Sequence, residues 1–302
     1  MRDEATVAET AFEELRSRGL RAIETGELEE AAENFAAALR LAGEQGEPRR
    51  IDLALCNWAA ALIELGRGDG EISRLREVLL RNSDPVNCRM AAYDIARYYE
   101  LKKNYKKALF YARITRDRSE ILGRRDWLAS SHNLIGNTLL AESFLEEACA
   151  EYEKALELFP PEPSPARGQI LDNLGYCRIL QRRYPEGYRL LYESLRLLRR
   201  FGARRHEISA RLDLCFAHLE TERYEHSRRQ GLAALALAES LGDAGSVKNA
   251  LYLLGEVANL NGDLETARGY FARLHRDFFP EAGYLPEFLL AVDIRRLVNL
   301  HA

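Results

Sequence analysis

Paired cysteines, long apolar runs, metal-ligand spacings and a phosphate-cradling loop are all missing from this 302-residue chain, and each absence removes a class of function. The five cysteines (Cys56, Cys88, Cys149, Cys177 and Cys215) lie far apart with no Cys-x-x-Cys pair, so neither zinc nor dithiol redox chemistry is expected. They read as small packing residues of a reducing compartment. The longest smooth apolar stretch, Leu232 to Ala238, is too short to cross a bilayer, which needs about 20 residues. The opening residues Met1-Arg2-Asp3-Glu4-Ala5-Thr6 carry acids where a secretion leader needs bases, so the expected location is cytoplasmic, with no membrane partner. Formal charge is −4 with the two signs nearly balanced, which does not favour a general nucleic-acid binder.

Catalytic signatures are equally scarce. Gly66-Arg67-Gly68-Asp69-Gly70 has glycines but lacks the lysine and strand context of a phosphate loop. There is no His-Glu-x-x-His, and the six histidines are dispersed. Acid pairs such as Glu29-Glu30 and Glu146-Glu147 fall where second helices start, a position where negative charge complements the helix dipole. No catalytic residue, no metal and no cofactor is therefore expected, and the chain is not read as an enzyme.

What is present is a repeat. Small residues recur at Gly19, Ala59, Ala96, Gly136, Gly175, Cys215 and Gly255, with spacings of 40, 37, 40, 39, 40 and 40 residues. Most carry a second small residue twelve positions on and apolar residues sixteen and nineteen on. A period this regular means stacked copies of one supersecondary unit, each burying its apolar face on its neighbours. The clearest copy runs from His132 to Leu156: two helical stripes flank a break at Glu142-Ser143, and Pro160 and Pro161 end the second helix. Gly136 and Ala148 let two antiparallel helices approach closely.

The pattern Gly136, Leu139, Ala148, Tyr152, Ala155 and Pro160 resembles the tetratricopeptide repeat. The same resemblance rests on Gly19, Ala22, Ala31, Phe35 and Ala38 in the first copy and on Gly255, Ala267 and Phe271 in the seventh. It implies an all-α, right-handed α-α superhelix of about seven helix-turn-helix repeats plus a C-terminal helix, forming a single domain over 1–302. The repeats would span approximately 9–46, 47–85, 86–123, 124–164, 165–203, 204–243 and 244–281, with a capping helix over 286–301. The second copy departs most, with Glu71 in a slot that wants alanine, so a displaced second helix is expected there. The family's usual period is 34 residues; the longer period here resembles a sub-class found in bacterial peptide-sensing regulators and in cargo or polarity adaptors. Glycine stops are expected at Gly43, Gly123, Gly202 and Gly242.

The resemblance implies a bacterial interaction module whose concave groove, lined by the first helix of each repeat, holds a peptide or protein segment. Counting along those helices gives Tyr93, Arg97, Asn133, Asn137, Gln169, Asp172, Tyr176, Phe216, Tyr252 and Asn259 as groove candidates, with Glu256 on the same face. Amides can pair with an extended backbone, and aromatic rings supply stacking area. The lysine-asparagine-arginine clamp by which co-chaperones of this family hold a C-terminal carboxylate has no counterpart here, so an acidic chaperone tail is not the expected ligand. Two alternatives stay open. Arg178, Arg182, Arg183, Arg199 and Arg200 could hold an anionic partner such as nucleic acid, or the chain could self-assemble as a scaffold, with the broadly apolar C-terminal helix as a homodimer contact.

Overall fold

The computed structural model describes residues 2–295, with side chains from residue 9 onward. It is all-α, and its chain divides between Pro160 and Pro161 into two compact units. The division falls in the run Pro160-Pro161-Glu162-Pro163-Ser164-Pro165, where repeated prolines remove backbone donors and bar a helix from crossing.

The first unit consists of α1 (Arg2–Thr25), α2 (Leu28–Gln45), α3 (Pro48–Glu64), a single 3-10 turn (Gly68–Glu71), α4 (Ile72–Arg81), α5 (Pro85–Leu101), α6 (Tyr105–Ile121), α7 (Arg125–Ala141) and α8 (Leu145–Leu158). The second holds α9 (Pro165–Leu180), α10 (Tyr184–Arg200), α11 (Arg204–Glu220), α12 (Tyr224–Ser240), α13 (Ala244–Leu260), α14 (Leu264–Phe278) and the short α15 (Leu285–Ala291). Consecutive helices pair as hairpins, and successive first helices also touch: α3 meets α5 in the first unit, and α11 meets both α9 and α13 in the second.

Each hairpin closes on its repeat-defining small residue. A Cβ on Gly136 would lie 2.5 Å from Cε1 of Tyr152, sixteen residues on, and one on Gly19 would meet Phe35 at the same distance. Gly255 faces Phe271 in the same way. The missing side chain is the space that the ring of the second helix occupies. Seven residues after each anchor the backbone is left-handed: at Gly26, Gly66, Lys103, Ser143, Arg182, Glu222 and Gly262. Only a positive φ lets the chain reverse within this two- or three-residue connection, and four repeats adopt it without glycine.

Helix ends follow local chemistry. Pro48, Pro85 and Pro165 open their helices, and the Asp84 carboxylate accepts from the Val86 and Asn87 amides at 2.9 Å each. Left-handed glycines end second helices at Gly123, Gly202 and Gly242 as expected. Gly43 does not, because α2 runs on to Gly46, whose N–H bonds to the carbonyls of Ala42 and Gly43.

Two further expectations meet the structure at repeat two and at the end of the chain. In repeat two, Glu71 lies in the 3-10 turn and α4 is shortened to Ile72–Arg81, so Ile72, Leu75 and Val78 carry its buried face. The helix expected over 286–301 stops at Ala291; residues 296–301 lie outside the described residues. Val292 is extended (φ −126°, ψ 119°), and the Asp293 carboxylate accepts the Arg295 backbone N–H at 3.0 Å. That local side-chain bond offers the backbone a partner other than a helical carbonyl.

Candidate functional site

In the first unit the first helices share a face on which Leu20 and Ile23 of α1, Asn57 and Glu64 of α3, and Tyr93 and Arg97 of α5 surround a cavity of about 170 Å³. Tyr93 and Arg97, both expected groove residues, are thus brought together one helical turn apart. Arg97 is held in place by Glu64 (Nη2 to Oε1, 2.9 Å) and Glu100 (Nη1 to Oε2, 2.6 Å), and these two carboxylates keep its guanidinium firmly charged. Arg89 lies between the rings of Tyr93 and Trp127, 4.9 and 5.2 Å from their centroids, which fixes the Tyr93 ring by cation-π contact.

The same cavity includes two polar groups at Asn57 and Asp94, each two residues before its repeat anchor. Both are buried, and the Asn57 Nδ2 and Asp94 Oδ2 atoms make no hydrogen bond among the described residues. Burial pushes the Asp94 carboxyl well above the usual carboxylate range, with Arg89 opposing it. A buried polar atom left without a partner is costly. Here the unmet atoms belong to residues that line a cavity.

Asn133 and Asn137 are half-buried on α7, and neither lines that cavity. Asn137 accepts the Tyr152 hydroxyl at 3.0 Å, a bond within its own hairpin. In the second unit, Gln169 is half-buried on α9. Asp172, Tyr176, Phe216 and Tyr252 are buried, in contrast to the open groove positions expected of them. The cause is packing of one first helix on the next. Tyr176, only 1% exposed, meets Phe216 across α9 and α11 at a centroid distance of 5.6 Å. Asp172 is pushed well above the carboxylate range by burial and by the neighbouring Asp213. His218, also buried, has its Nε2 2.9 Å from the Tyr192 hydroxyl and is a packing residue whose burial lowers its pKa to about 4.

Within the arginine group, Arg178 is 5% exposed and bonds Glu186 at 3.1 Å and Gln181 at 2.7 Å, so it is not part of a surface. Arg182, Arg183, Arg199 and Arg200 are exposed. Arg183 pairs with Glu186 at 2.6 Å and Arg199 approaches Glu207 at 3.8 Å. With its charge partly answered by carboxylates, this group does not favour an anionic partner.

The last described residues return to the first helices of the second unit. Asn259 donates its amide to the Leu290 carbonyl at 3.3 Å, and Arg295 reaches Glu220 of α11 (Nη1 to Oε1, 3.4 Å) and Glu256 of α13 (Nε to Oε2, 3.9 Å). The segment after α15 therefore lies against the faces of α11 and α13. Glu256 is 2% exposed, and burial, with Asp293 adding to it and Arg295 opposing, pushes its carboxyl up to about 7. The Asn57, Asp94 and Arg295 contributions were not anticipated from sequence. The first two carry a signal, their shared place two residues before the anchor; the third carries none.

Paired helices of one kind, repeated with a common joint, define a helical-hairpin repeat protein. Its fold is tetratricopeptide-like, as comparison with solved structures shows. A Rap protein complexed with competence and sporulation factor superposes with a TM-score of 0.70 at 12% identity, over 88% of this chain and 74% of that one. The signal-transduction ATPase PH0952 from Pyrococcus horikoshii, which carries a tetratricopeptide repeat sensor, gives 0.64 at 18% identity, over 91% of this chain and 43% of that one. BtubC from P. vanneervenii gives 0.57 at 18%, over 70% and 91%. No protein-family model matches the sequence, and no curated protein does.

Proposed function

We propose that the chain is a non-enzymatic protein-interaction module that captures an extended segment of a partner on its first-helix faces. The observation that carries this reading is the cavity among α1, α3 and α5. Its apolar side is Leu20 and Ile23, its ring is Tyr93, and its unmet polar atoms are a donor on Asn57 and a carboxyl oxygen on Asp94. An extended peptide presents a carbonyl and an N–H at each residue, which suits an amide donor and a carboxyl oxygen acceptor placed together. The Rap protein with this fold was solved with a bound factor, and in PH0952 the repeats form a sensor; both support ligand capture as the use of such an array.

The test is a peptide-display selection against the intact chain, repeated with Asn57→Ala/Tyr93→Ala. Selected linear peptides are expected to lose at least about tenfold in affinity, roughly 1.4 kcal/mol, while the helical circular dichroism at the assay temperature is kept. Unchanged affinity in the double variant would overturn the assignment of this face.

A further inference from the structure

Glu256 is an unusual group to find under a protein's own chain. It is almost wholly buried, yet its Oε1 has no hydrogen-bond partner among the described residues, and neither does the hydroxyl of Tyr252 one turn before it. The residue placed over it does not satisfy it. Arg295 makes its short contacts with its own neighbour, Asp293, at 2.7 Å from Nη2 to Oδ2 and 2.9 Å from Nε to Oδ1. Its contacts with Glu220 and Glu256 are the long ones, 3.4 and 3.9 Å. A guanidinium presents a fork of five N–H donors that pairs best with a carboxylate side by side. Here Asp293 takes that place, and the two carboxylates of the repeat helices receive what is left.

The surroundings are those of a segment-binding site. Val292 is extended, the preceding Leu290 carbonyl is held by the Asn259 amide, and a cavity of about 340 Å³ opens beside Arg295, bordered by Arg182, Tyr184, Glu220, Tyr224 and Leu260. Backbone capture by an amide, guanidinium capture by two acids and room alongside are three separate elements of recognition.

We infer that the face of α11 and α13 is a receptor for an arginine-bearing extended segment of another chain, and that Asp293–Arg295 occupies it in cis as a weak resident. The inference rests on the same reading of first-helix faces as binding surfaces. An incoming segment with arginine but no acid two residues before it can give both edges of its guanidinium to Glu220 and Glu256. It then displaces a resident whose arginine is shared with Asp293.

The probe is a fluorescein-labelled peptide copying residues 288–295 with Asp293→Ala, titrated into the full chain and into the full chain carrying Arg295→Ala. Binding is expected to be at least tenfold tighter to the Arg295→Ala chain. It should fall at least tenfold when Glu256→Gln is added, or when the peptide's own arginine is replaced by alanine. Equal affinity for the arginine and alanine peptides, or for the opened and unaltered chains, would overturn the inference. Should Arg295→Ala not fold, Arg295→Gln keeps the side-chain stem and is used instead. On the unaltered chain, saturating peptide should speed amide exchange at Val292–Arg295, and unchanged exchange counts against the site. The Asn57→Ala/Tyr93→Ala chain should bind this peptide normally, so the two proposals fail separately.

Discussion

The hydroxyl of Tyr152 donates to the Oδ1 of Asn137 at 3.0 Å, while the ring of the same tyrosine fills the space that a side chain on Gly136 would need. One residue thus locks its hairpin twice, by shape and by a polar contact. Tyr152→Phe is expected to cost about 1 kcal/mol, the worth of one such bond. Asn137→Ala should cost a similar amount, and the double variant less than the sum. Urea denaturation of the four chains measures this, and full additivity would contradict the bond.

Gly136→Ala tests the shape component. Alanine favours a helix by about 1 kcal/mol over glycine, but its Cβ would stand 2.5 Å from the Tyr152 ring, and overpacking of this kind costs about 1–3 kcal/mol. A net loss of stability is expected, and Tyr152→Leu in the same chain should recover part of it. A stabilised Gly136→Ala chain would show that the hairpin has slack.

At the left-handed joints the sign reverses. Ser143 (φ 66°) and Glu222 (φ 57°) hold a conformation that costs a residue bearing a Cβ about 1 kcal/mol. Ser143→Gly and Glu222→Gly should each raise the unfolding free energy by a few tenths to about 1 kcal/mol, and with it the denaturation midpoint, partly offset by the entropy of glycine in the unfolded chain. Glycine placed one position earlier, at Glu142 or Thr221, should destabilise.

The Glu256 carboxyl, raised to about 7 chiefly by burial, gives the second unit a pH dependence. Because the native pKa exceeds the unfolded one, near 4.3, its contribution is fully present below that value and is lost as pH rises through about 7. Stability of the second unit should therefore decline from about pH 4 to about pH 7 and level off above it, and Glu256→Gln should flatten the decline. Arg295→Ala should raise the native pKa further, since Arg295 favours the ionised form.

All five cysteines are buried and free. Burial raises the thiols of Cys56 and Cys88, and Cys215 is pushed up to about 12. Thiolate is the reactive form, so a thiol-specific chromogenic reagent should find almost no reaction in the native chain at pH 8 and five equivalents in denaturant. Rapid reaction of the native chain would mean that a hairpin opens readily.

The helices and their pairing were legible because a small residue facing a ring sixteen positions on is a local constraint repeated along the chain. Gly19 with Phe35 and Gly136 with Tyr152 both obey it. Tyr93 and Arg97, placed on one face of α5 by their spacing, do line one cavity. What the pattern does not encode is how far each neighbour covers that face. Tyr176 and Phe216 occupy the same place in their repeats as Arg97, but two rings pack on each other where an arginine reaches out to acids. The end of α15 was illegible for a different reason. Its apolar run favours helix, and the competing interaction is a single carboxylate, Asp293, that captures both the backbone and the side chain of Arg295.

The fixed interval between each anchor and its left-handed joint separates the parts of a repeat that can vary in length from the part that cannot. Anchor spacings range from 37 to 40 residues, yet the joint falls seven residues after the anchor every time, even in repeat two with its short α4. Insertions and deletions are therefore confined to the stretch between one joint and the next anchor. A chimera that exchanges hairpins should be cut within the links that follow the second helices, where length is already free to change.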